Sequence, residues 1–244
     1  MYKRKKIIAF IPARAGSKRI KGKNKKNLNG IPLFEYSIKI AQSSKYIDDV
    51  IVSTDSKEIL NKSINLGCKK INLRPKKLAT DTSRIIDSII YEIKNENLTG
   101  YDAVVLLQPT FPYRKVEMLD KAIEEYFKYE TSLITVVKAK EQPLMMRKII
   151  DGKLVKIIGE SSDIRSQNFP NIYKIIGCIY INNISKLTEN TILNENEIPF
   201  LIDNEYDIDI DTLDDFKRAE RILEKWLYIC FIMLKLTLII IIMI

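Results

Sequence analysis

Apolar residues in the first half of the chain fall into short continuous runs, and the stretches between them carry apolar positions at helical spacing. Ile7–Ile11, Val50–Ser53, Lys70–Leu73, Ala103–Leu107 and Leu133–Val137 read as strands. The first and fourth are apolar throughout, as strands buried on both faces are. Pro32 opens a helix at its first position, with Leu33, Phe34, Tyr36, Ile40 and Ala41 on the apolar side. Further helices are predicted over Ser56–Asn65, closed by Gly67, over Ser83–Asn95, with five isoleucines turned inward, and over Val116–Lys128. Strand and helix alternating through short connections predict an α/β fold, a mostly parallel central sheet with helices on both faces.

After residue 138 the rhythm changes. Lys148–Ile158 reads as a hairpin turning at Asp151-Gly152, Tyr173–Ile181 as a strand and Leu201–Ile202 as a short one. Thr212 caps a last helix, with Asp215 three residues on. With no long repeats or low-complexity linkers, residues 1–225 are expected to form one domain. Its irregular second half is expected to close the site and meet a partner subunit. Residues 226–244 form a separate hydrophobic tail, apolar except for Lys235 and Thr237. Its 19 residues approach the ~20 that span a bilayer as a helix, but Lys235 near its middle opposes insertion. A membrane contact, a helix packing in a dimer and an extension of the reading frame all remain open for it. Lys217, Arg218, Arg221 and Lys225 precede the tail and would keep the main domain cytoplasmic if it inserts.

Charge sharpens this picture. The chain has 40 Lys/Arg and 31 Asp/Glu. Eleven of the cations and none of the anions lie in residues 1–30, leaving 29 against 31 elsewhere. The formal net charge of +9 is therefore local. The basic N-terminus runs directly into a strand, unlike a signal peptide. Three widely spaced cysteines without a CxxC point away from a disulfide framework and toward a reducing, cytoplasmic setting. The chain has no His, which excludes His-based acid/base catalysis and leaves oxygen ligands for any metal, a set that suits Mg²⁺.

Two stretches carry chemistry. Arg14, Lys18 and Lys23 flank the small residues Ala15, Gly16 and Ser17 just after the first strand. Small residues let backbone N–H groups approach phosphate oxygens, and the cations offset their charge. A solvated basic surface and nucleic-acid binding are the alternatives, but no aromatic residue lies between Pro12 and Pro32 for base stacking. It is not a Walker A loop, because five residues separate Gly16 from Gly22 and Asn24 follows Lys23 where a hydroxyl is needed. Near the other end, the carboxylates of Asp207, Asp209 and Asp211 alternate with Ile208 and Ile210, which on an extended segment puts them on one face. Taken alone this is a solvated acidic edge or a divalent-cation site; beside a polyphosphate loop it becomes a metal site for the same phosphates.

The motifs PARAGSKRIKGKN, VSTDSKEI, LRPKKLATDTS, LLQPTFPYR and YDIDIDTLDDF, in this order, resemble those of the acylneuraminate cytidylyltransferase family. The resemblance runs from about Lys5 to Lys225. It implies a Rossmann-like nucleotide-diphospho-sugar transferase fold, usually a homodimer. The implied reaction joins CTP and a nine-carbon nonulosonic acid, N-acetylneuraminic acid or a legionaminic or pseudaminic relative, into a CMP-sugar with release of pyrophosphate. By position, the resemblance implies that Arg14, Ser17, Lys18 and Lys23 bind the triphosphate, and that Asn24 and Arg74 hold the cytidine nucleotide. Gln108 would contact the sugar, Arg165 and Gln167 would face its carboxylate and hydroxyls, and Asp209 and Asp211 would ligate Mg²⁺. Asp55 and Asp81 lie in matched loops without an assigned role. Phe111, Tyr113 and Ile176 depart from the family pattern and 188–200 has no counterpart, differences that bear on the sugar rather than the reaction.

Overall fold

The computed structural model describes residues 1–96, 98–129, 131–159, 165–193 and 197–224. The elements in chain order are β1 (Ile7–Pro12), the two-residue strands β2 (Asn27–Leu28) and β3 (Ile31–Pro32), α1 (Leu33–Ser43), β4 (Asp49–Ser53), α2 (Lys57–Asn65), α3 (Ile85–Asn95), β5 (Ala103–Leu106), α4 (Val116–Tyr129) and β6 (Leu133–Lys138). The hairpin strands β7 (Arg147–Ile150) and β8 (Lys153–Lys156), the long β9 (Tyr173–Asn183), β10 (Ile198–Leu201) and the helix α5 (213–224) follow.

Six strands form the main sheet in the order β10-β6-β9-β5-β1-β4. All its pairings are parallel except the two made by β9. β1 lies between β4 and β5, which explains its unbroken apolar run. Ile7, Ala9 and Ile11 enter one core with α1, α4 and α5, while Ile8 and Phe10 enter a second with α3. The chain steps from β1 to β4 on one side and then returns to β5 on the other. The loops after β1, β4 and β5 therefore meet at a topological switch point, where α/β sheets bind ligands.

Local signals held at most element ends. The Ser56 hydroxyl accepts from the Ile59 N–H at the start of α2. At its end the N–H groups of Gly67 and Cys68 bond the carbonyls of Ile64 and Ser63, a Schellman closure. Thr212 and Asp215 form the expected reciprocal capping box. The hairpin turns at Asp151-Gly152 with φ of 49° and 72°, the two left-handed positions of a type I′ turn.

Three expectations are corrected. Pro32 is the cap residue before α1, one position earlier than expected, because it still pairs with Asn27 in the β2–β3 ladder. Lys70–Leu73 is not a strand. The segment bonds β4 and its following residue only at Lys69 and Arg74, and the Asn72 N–H turns instead to the Glu96 carboxylate. The late short strand is Ile198–Leu201 rather than Leu201–Ile202, set by its parallel register with β6. Among the described residues no helix is long and apolar enough to cross a membrane, and the 226–244 tail lies outside them.

Candidate active site

A cleft of about 520 Å³ opens where the loops after β1 and β5 meet the 74–88 segment. Arg14, Ser17, Lys18, Lys23, Asn24, Arg74, Gln108 and Asp211 all line it, although they span nearly 200 positions of sequence.

The cationic loop is held in shape by polar contacts. The Ala15 N–H donates to Asp55 (2.7 Å), and the buried Asn24 amide donates to the Arg14 carbonyl (2.9 Å). Asp55 thus anchors the loop's backbone, and Asn24 braces it as well as facing the cleft. The Lys23 ammonium donates to the Ile210 carbonyl (2.8 Å) and to Asp211 (3.2 Å), while Arg19 bonds the other Asp211 oxygen (2.8 Å). Arg14 and Lys18 both pair with Asp81, at 2.9 and 2.7 Å. The Lys18 ammonium is the main reason that the Asp81 carboxyl lies below the ordinary carboxylate range.

The alternating acidic segment forms as expected, with Ile208 and Ile210 buried. Its carboxylates then diverge. Asp207 is taken by Lys174 (2.8 Å), away from the cleft. Asp209 keeps an open edge to solvent but is bonded by Thr110, a residue of the cleft wall. Partial burial raises its carboxyl above the ordinary range, and the neighbouring Asp211 charge raises it further.

The floor is built differently. Arg74 is buried, donates to the Ser53 carbonyl (3.0 Å) and the Ser88 hydroxyl (3.1 Å), and is lowered from its ordinary pKa by that burial. Behind it the Ser53 hydroxyl donates to Glu92 (2.6 Å). Glu92 is fully buried, and burial pushes its carboxyl up to about 7. Arg114, buried, donates to the carbonyls of Gln108 (2.6 Å) and Cys178 (2.7 Å) and to the Ser37 hydroxyl (3.0 Å). It fastens the loop after β5 to β9. Gly177 of β9 leaves the room that seats Gln108, since a Cβ there would stand 2.9 Å from the Gln108 amide nitrogen and 2.8 Å from the Phe111 ring. Phe111 and Tyr113 are core residues, and the Tyr113 hydroxyl donates to the Ala219 carbonyl of α5.

Arg165 and Gln167 are exposed and are not among the residues lining the cleft. Motif reading left Asp55, Asp81, Glu92, Arg114 and Gly177 without a role, and their contacts place them in or directly behind the walls of the cleft.

Comparison with known proteins agrees with this geometry. A sequence profile described as cytidylyltransferase matches residues 8–228. The CMP-N,N'-diacetyllegionaminic acid synthase of Legionella pneumophila is 37% identical over 226 residues, covering 90% of this chain and 97% of that protein. The pseudaminic acid cytidylyltransferase of Campylobacter jejuni is 28% identical over 221 residues, covering 88% and 95%. Among solved structures, a CMP:2-keto-3-deoxy-manno-octonic acid synthetase complexed with CTP superposes with a TM-score of 0.67 at 15% identity, over 90% of this chain and 99% of that one. That likeness concerns the fold alone, a mostly parallel α/β sheet with helices. With the profile spanning all but the first residue of the sheet and every loop of the cleft, the chain belongs to the cytidylyltransferase family.

Proposed function

We propose that the protein transfers CMP from CTP to the anomeric hydroxyl of a nine-carbon nonulosonic acid and releases pyrophosphate. The observation that carries this reading is the Lys23–Asp211 contact, which joins the N-terminal cations to one of the C-terminal carboxylates in one cleft, with Asp209 outside its lining. In the reaction the anomeric oxygen bonds the α-phosphorus as the bond to pyrophosphate breaks, and the hydroxyl proton leaves to solvent. Charge then grows on the leaving phosphates. Arg14, Lys18 and Lys23 lie where fixed cations stabilise it, and Ser17 adds a short polar contact. Arg74 and Asn24 hold the nucleoside at the floor, and Gln108 reaches the sugar.

Asp209 and Asp211 fit a Mg²⁺ ion, because they are two neighbouring oxygen ligands whose mutual repulsion a divalent cation relieves. Bound there, Mg²⁺ would supply charge neutralisation for the triphosphate. Arg19 and Lys23, which now bond Asp211, would share or yield its oxygens.

A homodimer accounts for the projecting β7–β8 hairpin, which leaves Ile149, Ile150, Leu154 and Val155 exposed; single chains seldom leave such a patch to water. A second copy over this arm would also give Arg165 and Gln167 a neighbour. Ile149→Asp with Leu154→Asp is expected to yield a monomer by sedimentation. A cytoplasmic setting suits the free, buried thiols of Cys68 and Cys178.

The test is pyrophosphate release from CTP with a panel of nonulosonic acids. Release that requires Mg²⁺ and vanishes in Asp211→Ala, with the circular dichroism spectrum kept, supports the assignment. Absence of release with every sugar acid overturns it, while full activity of Asp211→Ala at limiting Mg²⁺ removes the metal role alone.

A further inference from the structure

Resting on the Mg²⁺ reading of Asp209 and Asp211, we propose that Thr110 is the positioning residue of that pair. Its hydroxyl sets the Asp209 carboxylate and its carbonyl sets the backbone between the two aspartates. The affinity of the cleft for a divalent cation is thereby governed from the loop after β5.

That loop is a firm support. Gln108, Pro109, Thr110 and Phe111 make a four-residue turn in which the Phe111 N–H donates to the Gln108 carbonyl (3.2 Å). Pro109 takes its second position, where the proline ring fixes φ. Arg114 donates to the same Gln108 carbonyl (2.6 Å), and the Leu107 N–H donates to the Phe10 carbonyl of β1 (3.0 Å). The turn is thus tied to its neighbours independently of what Thr110 touches.

Thr110 meets the acidic segment twice. Its carbonyl accepts from the Ile210 N–H (2.9 Å), and its hydroxyl bonds the Asp209 carboxylate. The Ile210 carbonyl in turn accepts from the Lys23 ammonium (2.8 Å), so the two peptides flanking Ile210 are held from opposite walls of the cleft. One residue on, the Asp211 N–H donates to Asp215 (3.2 Å). The backbone is held by all of these, whereas the Asp209 side chain turns on the Thr110 hydroxyl. Thr110 and Asp211 line the cleft and Asp209 does not, so that hydroxyl links the Asp209 carboxylate to the cleft wall.

A carboxylate has two oxygens, and a hydroxyl on one leaves the other for a cation. Groups that hydrogen-bond a metal's carboxylates fix their direction, and losing one typically weakens metal binding roughly 10- to 100-fold. Thr110→Val keeps the shape and the carbonyl and removes only the hydroxyl. Thr110→Ser keeps the hydroxyl.

The test is calorimetric titration of CTP, without sugar acid, into wild type and both variants, once with Mg²⁺ and once with EDTA. Wild type is expected to bind CTP at least about tenfold more tightly with Mg²⁺. Thr110→Val is expected to lose most of that gain while its affinity for CTP in EDTA matches the wild type, and Thr110→Ser is expected to keep the gain. An undiminished or larger gain in Thr110→Val overturns the proposal. So does weaker CTP binding by Thr110→Val in EDTA, which would make Thr110 a wall residue, or loss of the gain in Thr110→Ser. No gain from Mg²⁺ in wild type overturns the metal reading together with the proposal, and leaves cytidylyl transfer to the pyrophosphate assay.

Discussion

The rim and the floor of the cleft both present cations, but they hold them in opposite ways. At the rim, Lys18 is 83% exposed and Arg14 and Lys18 are paired with a carboxylate on a facing loop. At the floor, Arg74 is 6% exposed and donates to a carbonyl and a hydroxyl. A rim cation paired to a carboxylate can exchange that partner for a phosphate at little net cost, because both states are solvated ion pairs. A buried guanidinium on neutral acceptors keeps its full charge and a fixed direction, so it discriminates by position. The rim is thus suited to a charge-rich, loosely specified group and the floor to a shaped one.

Lys23 breaks the simple division, since it sits at the rim but its side chain is only 13% exposed and it spans both parts of the site. Removing it should give the largest effect. Lys23→Ala is expected to lower kcat by about 10²–10³-fold, the scale for losing one fixed donor to a developing charge. Lys18→Ala should cost far less. Steady-state pyrophosphate assays of the two variants check this, and equal losses would erase the distinction between them.

The floor's second buried ionisable group predicts a stability effect. Glu92 has a carboxyl raised from 4.5 to about 7 by burial, faced by the Ser53 hydroxyl and the charges of Arg74 and Glu96. Below about pH 4.5 it is protonated in the folded and unfolded chain alike, so its burial carries no ionisation cost. Between 4.5 and 7 the unfolded chain loses the proton while the folded one keeps it, and stability falls as pH rises. Glu92→Gln removes that dependence. Urea unfolding at pH 5 and pH 8 should show the variant gaining on the wild type by on the order of 3 kcal/mol across the interval. Parallel pH profiles for the two proteins would mean that Glu92 titrates as an ordinary carboxyl.

How much of this was legible follows from what each residue needs around it. β1 and β5 were readable because two-sided burial leaves an unbroken apolar run, and the cationic loop because eleven cations without an anion is a local fact. Lys70–Leu73 misled because its composition suits a strand, while its missing ladder depends on Glu96, more than twenty residues away. Arg114 and Gly177 were unreadable for the same reason, as each acts across some 60 to 70 positions between the loop after β5 and β9. Glu92 did leave a signal. It falls three residues after Ile89 and seven after Ile85, on the inward stripe of α3, where a carboxylate has no business unless a polar partner waits inside.

Gly177 allows the sugar side of the site to be separated from the nucleotide side. In Gly177→Ala the new methyl would displace the Gln108 side chain, its flexible neighbour, more readily than the buried Phe111 ring. The KM for the sugar acid is expected to rise about tenfold, the loss of roughly one hydrogen bond. The KM for CTP should stay within about twofold, since the proposed nucleotide contacts lie on a different wall. A parallel rise in both constants would show that the two walls move together.

The smallest effect tests the exchange idea at the rim directly. Asp81 occupies Arg14 and Lys18 in the free protein, so a triphosphate has to take those cations from it. Because the pair is exposed, the competition is weak and salt-sensitive. Asp81→Asn should therefore lower the KM for CTP by about two- to threefold at low ionic strength, and the gain should shrink as salt is added. Titration of CTP into wild type and variant at two salt concentrations measures it. Weaker CTP binding in Asp81→Asn would reverse the assignment, making Asp81 a brace that holds the rim cations in place for the phosphates instead of a partner they leave.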